Sequence, residues 1–349
     1  MIDIRQLIPE DHGHLYEAWN NYVADQPVCS VYHMVEWKEI ICKACYLRPY
    51  YFYAVDGSDR ICGVLPLFRS KSFLFGTYLT SIPFFNYGGV AADSQEIAGL
   101  LFKAGIEAAR ECNAEYMELR HKETFLLDNV PSKTHKVRMV LDLPDTPDIL
   151  WDSFKSKLRS QIKRASRENM SVRIGGMDLL TDFYRVFSAN MRDLGTPVWP
   201  KKLFYHILDQ LSDLAFICVV YYKKTPVATG FLLGFGDTME IPFASSLRKY
   251  NTLSPNMLLY WNVLEFSCSK KFKKFDFGRS SPDAGTYRFK EQWGAVPQTL
   301  HWQYWLPRGS AMPEINPQNP KYQLAISAWR KLPVVVANTI GPHIARNLP

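Results

Sequence analysis

Residues 275–294 read Phe-Asp-Phe-Gly-Arg-Ser-Ser-Pro-Asp-Ala-Gly-Thr-Tyr-Arg-Phe-Lys-Glu-Gln-Trp-Gly. A short apolar run closes on Asp-Phe-Gly-Arg, a loop follows, and a basic-aromatic turn ends at Trp293-Gly294. One interpretation is structural: a strand, a loop and a short helix whose Phe289 and Trp293, four residues apart, face the core. The other is functional, because charged and apolar side chains packed this densely between glycines are typical of the edge of a binding site. The residues alone leave both open.

The composition describes a globular chain of ordinary hydrophobicity. Its 349 residues suffice for two domains of about 150 residues each, and 47% of them are hydrophobic. The sequence has no run of about 18 uncharged apolar residues, and its first 20 residues lack the apolar core of a signal peptide. We therefore expect a cytoplasmic protein. Seven irregularly spaced cysteines, including the pair Cys42 and Cys45, fit reduced, buried thiols.

The charge and the motif content narrow the classes of function. A net charge of +7 favours an anionic partner, which includes a phosphate, a nucleotide, tRNA or an acidic membrane surface. The chain contains no Walker loop, no G-x-S-x-G, no H-E-x-x-H and no G-x-G-x-x-G, and its eight histidines show no metal-ligand spacing. We therefore expect neither a hydrolase, an ATPase nor a metalloenzyme, and we predict no metal site.

The first 145 residues predict a mixed α/β layer. Residues 50–55 and 61–69 form a predicted hairpin around Asp56-Gly57-Ser58-Asp59, and Ser94 is the predicted N-cap of a helix through Cys112. The segment Tyr87-Gly88-Gly89 precedes that helix. It fits either a tight turn that needs glycine or an anion site at a helix N-terminus.

A basic stretch follows the proline-containing segment 143–148, which is the predicted linker. Lys163 and Arg167 are four residues apart on a predicted helix, and this stretch contains one acidic residue, Glu168. The stretch is interpreted either as a solvated helix face or as a ridge that binds phosphates or an RNA end. Its basic residues are Lys155, Lys157, Arg159, Lys163, Arg164, Arg167 and Arg173.

The second half predicts another α/β layer. Residues 216–222, 226–235 and 238–245 form a predicted three-stranded meander, with Gly236-Asp237 as a tight turn. A buried helix begins at Ser254-Pro255, and residues 310–320 form a linker. The tail that follows is apolar with a basic end, and it is too short to span a bilayer. We expect it to dock on the first domain; the alternative is a position in a membrane interface.

The motif in residues 275–294 resembles the C-terminal motif of the FemAB-like proteins, in the branch associated with exosortase and exopolysaccharide genes. The matching elements are Asp276 to Arg279 and Tyr287 to Gly294, and the resemblance extends from near Ser30 to the C-terminus. It implies two GNAT-like acyltransferase domains, each a mixed sheet flanked by helices. We place them at residues 1–145 and 146–308, with a linker and helical tail at 309–349 that pack on the N-terminal domain.

The resemblance also implies a set of site residues. The lysine of the Phe-Lys pair, Lys290, lies at the acyl-donor end in related peptidyl transferases, where it would bind a donor phosphate or stabilise negative charge. Asp276 and Asp283 are candidate bases and Tyr287 is a candidate hydrogen-bond donor, so we assign catalysis to Lys290, Asp276 and Tyr287. Asp276 has a purely structural alternative. The predicted substrate- or donor-binding residues are Arg159, Lys163, Arg164, Tyr87, Gly88, Gly89, Trp199, Arg248, Arg279, Asp283 and Phe289.

The acyl donor is a co-substrate, and the sequence does not decide between acyl-CoA and aminoacyl-tRNA. No tightly bound cofactor is expected. Ordinary GNAT proteins hold the CoA pyrophosphate on a glycine-containing loop before a helix, and the corresponding residues 247–254 contain no glycine. The FemAB-like family also lacks this glycine-containing loop, and its cell-wall members use aminoacyl-tRNA. The chain lacks the long helical hairpin that some of those members carry.

The sequence therefore predicts an N-acyl- or aminoacyltransferase. The acceptor would be a small molecule or glycan precursor of the cell envelope or of an exopolysaccharide, with tRNA and a peripheral contact with the inner membrane as further partners and no DNA. The hypothesis from another class is a catalytically silent GNAT-like protein that binds a component of a polysaccharide-synthesis or sorting system.

Overall fold

The computed structural model describes residues 1–8, 11–72, 76–122, 127, 130–282, 284–313 and 320–348, with the backbone alone for 320–322. Its strands in chain order are β1 (Asp3–Gln6), β2 (Arg48–Val55), β3 (Ile61–Ser72), β4 (Gly76–Thr80), β5 (Ala91–Ala92), β6 (Tyr116–His121), β7 (Ser132–Lys133), β8 (Val137–Asp142), β9 (Met170–Gly175), β10 (Ala215–Tyr222), β11 (Thr225–Phe235), β12 (Thr238–Ser246), β13 (Lys274–Ser280), β14 (Val296–Thr299) and β15 (His301–Trp305).

Helices connect and flank these strands. The α-helices in chain order are α1 (His14–Asp25), α2 (Glu36–Cys45), α3 (Gln95–Glu111), α4 (Pro147–Ser153), α5 (Ser156–Ser166), α6 (Leu180–Leu194), α7 (Lys201–Gln210), α8 (Pro255–Ser269), α9 (Gly285–Glu291), α10 (Pro320–Arg330) and α11 (Val334–Ala345). Short 3-10 helices span Val31–His33, Met177–Leu179 and Arg248–Leu253.

The chain divides into two compact units. The first unit comprises Met1–Lys136, Thr299–Ile315 and Arg346–Pro349, and the second comprises Val137–Gln298 and Asn316–Ala345. The sequence-based boundaries at residues 145 and 308 differ from this division. The reason is that two strands belong to the sheet with which they pair, not to the sheet nearest in sequence: β15 pairs with β6, and β8 pairs with β13.

The sheet of the first unit has the strand order β1-β2-β3-β4-β6-β15-β7, with β5 paired to β3. Neighbours are antiparallel except β4 and β6, which run parallel because α3 forms the crossover between them. The Ser94 hydroxyl accepts the Ile97 amide at 3.2 Å, so the predicted N-cap of α3 is confirmed. One core cluster forms where Leu65, Leu101 and Met117 pack together.

The sheet of the second unit has the order β14-β8-β13-β12-β11-β10-β9. The predicted meander is confirmed as β10, β11 and β12, which pair antiparallel in sequence. β12 and β13 run parallel, and the buried helix α8 connects them. From β9 to β8 this sheet repeats the strand directions of the first sheet from β1 to β15, as expected for two domains of the same kind.

The C-terminal tail forms α10 and α11, and both helices pack against α6 of the second unit. The Arg192 guanidinium donates to the Leu332 carbonyl at 2.5 Å, and the Asn338 amide donates to the Ser188 hydroxyl at 3.2 Å. This differs from the sequence-based expectation that the tail docks on the N-terminal domain. The small residues Ala337 and Gly341 permit the close approach to α6 and its following loop, a contact that hydrophobicity alone does not specify.

Candidate functional site

A fork between two parallel strands is the central feature of the second unit. β12 and β13 pair from Thr238/Lys274 to Glu240/Asp276. Beyond that register no further β12–β13 pair occurs among the described residues, although β12 continues to Ser246 and β13 to Ser280. Strands that diverge leave main-chain donors and acceptors without a neighbouring strand, and these groups need other partners.

The Asp-Phe-Gly sequence builds a bulge at the fork. Between Asp276 and Arg279, β13 carries one more residue than the opposing segment of β8. Gly278 has φ +73°, which is the conformation that a glycine adopts in this type of bulge and other residues rarely adopt. The Asp276 carboxylate accepts the Gly278 amide at 2.7 Å. The aspartate and the glycine of the motif therefore hold one backbone shape together.

Lys290 stabilises the same segment from α9. Its ammonium donates to the carbonyls of Gly278 and Arg279 at 2.9 and 3.0 Å, and the residue is only 7% exposed. Burial lowers the pKa of Lys290 from its usual 10.5 to about 8, while the Asp276 and Glu240 carboxylates act in the opposite direction. Lysine has three N–H donors, and the bonds to described residues use two. One donor is therefore left to reach a ligand.

Two further buried charges, which the sequence analysis missed, lie beside Asp276. Glu240 lies opposite Asp276 in the β12–β13 register and is 5% exposed. The Arg138 guanidinium lies 3.7 Å from the Asp276 carboxylate, and both side chains are buried. The signal was present: each stands directly between two apolar residues of its strand, where a buried charge requires a partner. We call Arg138, Glu240, Asp276 and Lys290 the fork cluster.

The aromatic residues of the motif pack beneath the fork cluster. The Phe289 and Tyr260 ring centroids are 5.0 Å apart, and the Trp293 ring is 5.6 Å from Phe154. The prediction that Phe289 and Trp293 face the core is confirmed. The contacts that Phe289 makes in the structure are therefore core contacts, although it was also predicted to bind substrate or donor. Tyr287 is half-buried against the same core.

The basic stretch lies on α5, whose inward face is Leu158, Ile162 and Ala165. Arg159 forms an ion pair with Asp152 at 3.6 Å, and the Lys163 ammonium lies 5.8 Å from the Trp151 ring centroid. Arg164 is exposed. The helix therefore presents cations to solvent, an arrangement compatible with either interpretation of the stretch.

The remaining predicted residues of this unit lie in different surroundings. The Trp199 ring stacks on Phe187 with centroids 5.8 Å apart, and the Arg248 guanidinium donates to the Asp193 carbonyl at 3.0 Å. Arg279 is exposed beside the carbonyl that Lys290 binds, and its charge contributes to lowering the pKa of Lys290. Asp283 lies outside the described residues.

The predicted residues Tyr87, Gly88 and Gly89 lie in the first unit. Tyr87 is buried, and the Gly88 amide donates to the Arg120 carbonyl at 2.8 Å. Gly89 has φ +92°, and a Cβ there would lie 2.8 Å from the His121 ring. This geometry is that of a tight turn requiring glycine.

The turn also fills the corresponding fork of the first unit. The β4–β6 pairing ends at Thr80/Glu118, and the Ser81 amide then donates to the Glu118 carbonyl at 3.0 Å. The Arg120 guanidinium donates to the Ile82 and Phe85 carbonyls at 3.1 and 2.6 Å, and Glu118 accepts from it at 2.5 Å. The chain thus satisfies this fork with its own loop.

No group of three or more histidine, cysteine, aspartate or glutamate residues with a geometry suited to a metal ion occurs in the part of the chain that the structure describes.

Comparisons with known proteins agree with this geometry. Residues 152–291 match the family model described as an acetyltransferase (GNAT) domain. No curated protein matches the chain. Among solved structures, FemX is 13% identical with a TM-score of 0.68, covering 93% of this chain and 100% of its own.

Two further structures have the same fold. The C-terminal domain of a putative lysylphosphatidylglycerol synthetase from Agrobacterium fabrum is 12% identical with a TM-score of 0.58, over 93% of this chain and 96% of its own. A tandem GNAT protein from the clavulanic acid biosynthesis pathway is 10% identical with a TM-score of 0.55, over 90% and 100%. Residues 152–291 thus match a GNAT acetyltransferase domain, and the chain shares its fold with FemX and with the tandem GNAT protein.

Proposed function

We propose that the protein is an N-acyltransferase that moves an acyl or aminoacyl group from an activated donor to an amine. The observation that carries this proposal is the fork between β12 and β13, with the buried fork cluster at its base. The fork lies within the residues that match the GNAT acetyltransferase domain.

The fork suits an extended donor. Diverging strands offer main-chain N–H and C=O groups to a chain that lies between them, much as a peptide adds to a sheet edge. The pantetheine arm of acyl-CoA is such a chain and carries two amide groups. Acyl-CoA is therefore the donor that the fork favours. Aminoacyl-tRNA is the alternative, and the exposed cations of α5 are the surface that would contact its phosphates.

Lys290 has the central chemical role in this proposal. The acceptor nitrogen attacks the donor carbonyl carbon, and the carbonyl electron pair moves onto oxygen. The remaining N–H of Lys290 donates to that oxyanion. When the intermediate collapses, the carbon–sulfur bond of a thioester, or the ester carbon–oxygen bond of an aminoacyl-tRNA, breaks. The amine loses its proton to a base, for which Asp283 is the candidate, and the departing thiolate or alkoxide takes up a proton.

The other predicted residues assist this step. Asp276 holds the Gly278 amide and lies beside Arg138, so its role in the proposal is to position the fork cluster, not to act as the base. Tyr287, which is half-buried on α9, is proposed as a hydrogen-bond donor to the substrate.

The acceptor is proposed to be an amino sugar or peptide of an envelope or exopolysaccharide precursor in the cytoplasm. The support is the resemblance of residues 276–279 and 287–294 to the exosortase-associated branch of the FemAB-like proteins.

The test combines ligand binding with turnover. Thermal midpoints are measured with CoA, acetyl-CoA, longer acyl-CoAs, charged tRNA and UDP-amino sugars, because a ligand that binds the folded state raises the midpoint. Each ligand that raises it is then assayed for transfer to amine acceptors. We expect a shift with an acyl-CoA and release of free CoA when an acceptor is added. A shift with charged tRNA alone would support the second donor, and no shift with any compound would contradict the proposal.

A catalytically silent binding protein is the second candidate, because Lys290 and Asp276 already stabilise the backbone at the fork. Lys290→Arg distinguishes the two candidates while keeping a cation beside the same carbonyls. The variant should lose most of the transfer activity and retain acceptor binding if the protein is an enzyme. Under the silent alternative neither wild type nor variant transfers an acyl group, and both bind alike.

A further inference from the structure

An exposed aliphatic face runs along α11, the helix nearest the C-terminus. The helix buries Ala337, Gly341 and Ala345 on one side, at a spacing of four residues. Its opposite side carries exposed side chains at positions that lie on one face of a helix. We call this the outer face of α11; its residues are Val335, Val336, Thr339, Ile340, His343 and Ile344.

The buried side of α11 packs tightly against the second unit, so the orientation of the helix, and with it the orientation of the outer face, is fixed. A Cβ at Gly341 would lie 3.0 Å from the Val198 main-chain nitrogen, and Asn338 bonds to Ser188 at 3.2 Å. The preceding helix is held as well, because the Arg330 guanidinium donates to the Leu194 carbonyl at 3.2 Å. The aliphatic side chains are therefore presented by an anchored helix.

The charged residues of the segment that carries this face have a single sign. Residues 320–348 contain Lys321, Arg330, Lys331 and Arg346 and no acidic residue. Two copies of this helix packed against each other, parallel or antiparallel, would bring basic groups together without a carboxylate from the same segment between them. An apolar stripe with Lys331 before it and Arg346 after it instead complements an anionic lipid surface, where the apolar side chains enter the headgroup boundary and the cations meet the phosphates.

We propose that the outer face of α11 binds the surface of a bilayer that contains anionic lipids. The helix axis lies parallel to that surface. None of the helices in the described residues has the length and hydropathy needed to cross a membrane. The contact is therefore peripheral and reversible. It would hold the second unit, with its fork, at the surface where lipid-linked substrates are found; the binding itself does not depend on the acyltransferase proposal.

The experiment is co-sedimentation of the full chain with vesicles of phosphatidylcholine alone or mixed with phosphatidylglycerol. We expect binding to the mixed vesicles that weakens as salt is raised. Ile340→Asp should lower the vesicle affinity by about tenfold or more, because it places a charge in the apolar boundary. Lys331→Gln should lower it by roughly fivefold, the effect of about one basic residue near an anionic surface.

Ile149→Asp is the matched control, since Ile149 is an exposed aliphatic residue on α4. It should bind like the wild type, and all three substitutions should leave the thermal midpoint unchanged because the residues are exposed. The proposal is overturned if the chain ignores the mixed vesicles, or if Ile340→Asp binds them as well as Ile149→Asp does. Self-association of the wild-type chain that Ile340→Asp abolishes, without vesicle binding, would assign the face to a second copy.

Discussion

The titration of Lys290 gives the sharpest test of its proposed role. Its ammonium has to be protonated to donate to an oxyanion, and burial lowers its pKa to about 8. The protonated fraction then falls from about nine-tenths at pH 7 to about one-tenth at pH 9. We expect the transfer rate at saturating donor to decrease by about tenfold across that interval. The assay is release of free CoA at pH values between about 6 and about 10.

The free energy of unfolding should rise over the alkaline part of this pH range, while the transfer rate falls. The folded-state pKa is lower than the ordinary 10.5, so the unfolded chain binds more protons between about pH 8 and pH 10.5. The contribution of Lys290 to the free energy of unfolding therefore rises with pH there, by an amount on the order of 3 kcal/mol. A fall in activity through pH 8 would thus not reflect unfolding at this residue.

Lys290→Arg is the control for the titration. A guanidinium stays protonated throughout the range, so whatever activity the variant keeps should lack the decrease near pH 8. The difference in unfolding free energy between wild type and variant should also change with pH as described. A wild-type rate that stays level or rises from pH 8 to pH 9 would refute the role of the ammonium, as would an identical decrease in Lys290→Arg.

Four further substitutions test the backbone at the forks, inside a helix and at a helix cap by thermal or denaturant unfolding. Gly278→Ala should cost about 1–2 kcal/mol because of the positive φ, and it should also reduce transfer; full activity would contradict the importance of the bulge. Gly89→Ala should cost about 1–3 kcal/mol, whereas Gly99→Ala, inside α3 with open space around it, should stabilise by about 0.5–1 kcal/mol; equal effects would contradict the steric argument. Ser94→Ala should cost about 1 kcal/mol through the lost cap of α3, and no change would mean that the bond to the Ile97 amide is not maintained.

Local structure was largely predictable from local sequence. The meander β10–β12 follows from apolar alternation interrupted by Gly236-Asp237, and α3 begins where a serine precedes an amphipathic run. The spacing of Phe289, on α9, and Trp293, just after its end, correctly indicates that both side chains meet the core. In each case the deciding interactions lie within a few residues of one another.

Pairings between distant segments were not predictable in the same way. β8 and β15 have ordinary strand sequences. No local feature shows that β8 joins the sheet of the second unit and β15 the sheet of the first. The fork cluster was only partly identified for the same reason. Glu240 meets Asp276 through a parallel pairing, and Arg138 reaches it from a third strand, so their association depends on the register of the whole sheet.

The β4–β6 fork of the first unit and the β12–β13 fork of the second unit differ in what binds their main-chain groups. This difference accounts for the presence of the motif of residues 275–294 in the second unit only. In the first unit, residues that follow β4 fold back at once, and Arg120 binds the Ile82 and Phe85 carbonyls of that loop. In the second unit, β12 continues beyond the fork to Ser246, and the carbonyls at the bulge of β13 are held by a lysine ammonium. An ammonium is compact and has a third donor to offer, whereas a folded loop occupies the space itself. A lysine at this point therefore stabilises the diverging strand and, in the proposed mechanism, donates its third N–H to the oxyanion. The Phe-Lys pair thus joins the structural and the chemical interpretation of residues 275–294 in one side chain.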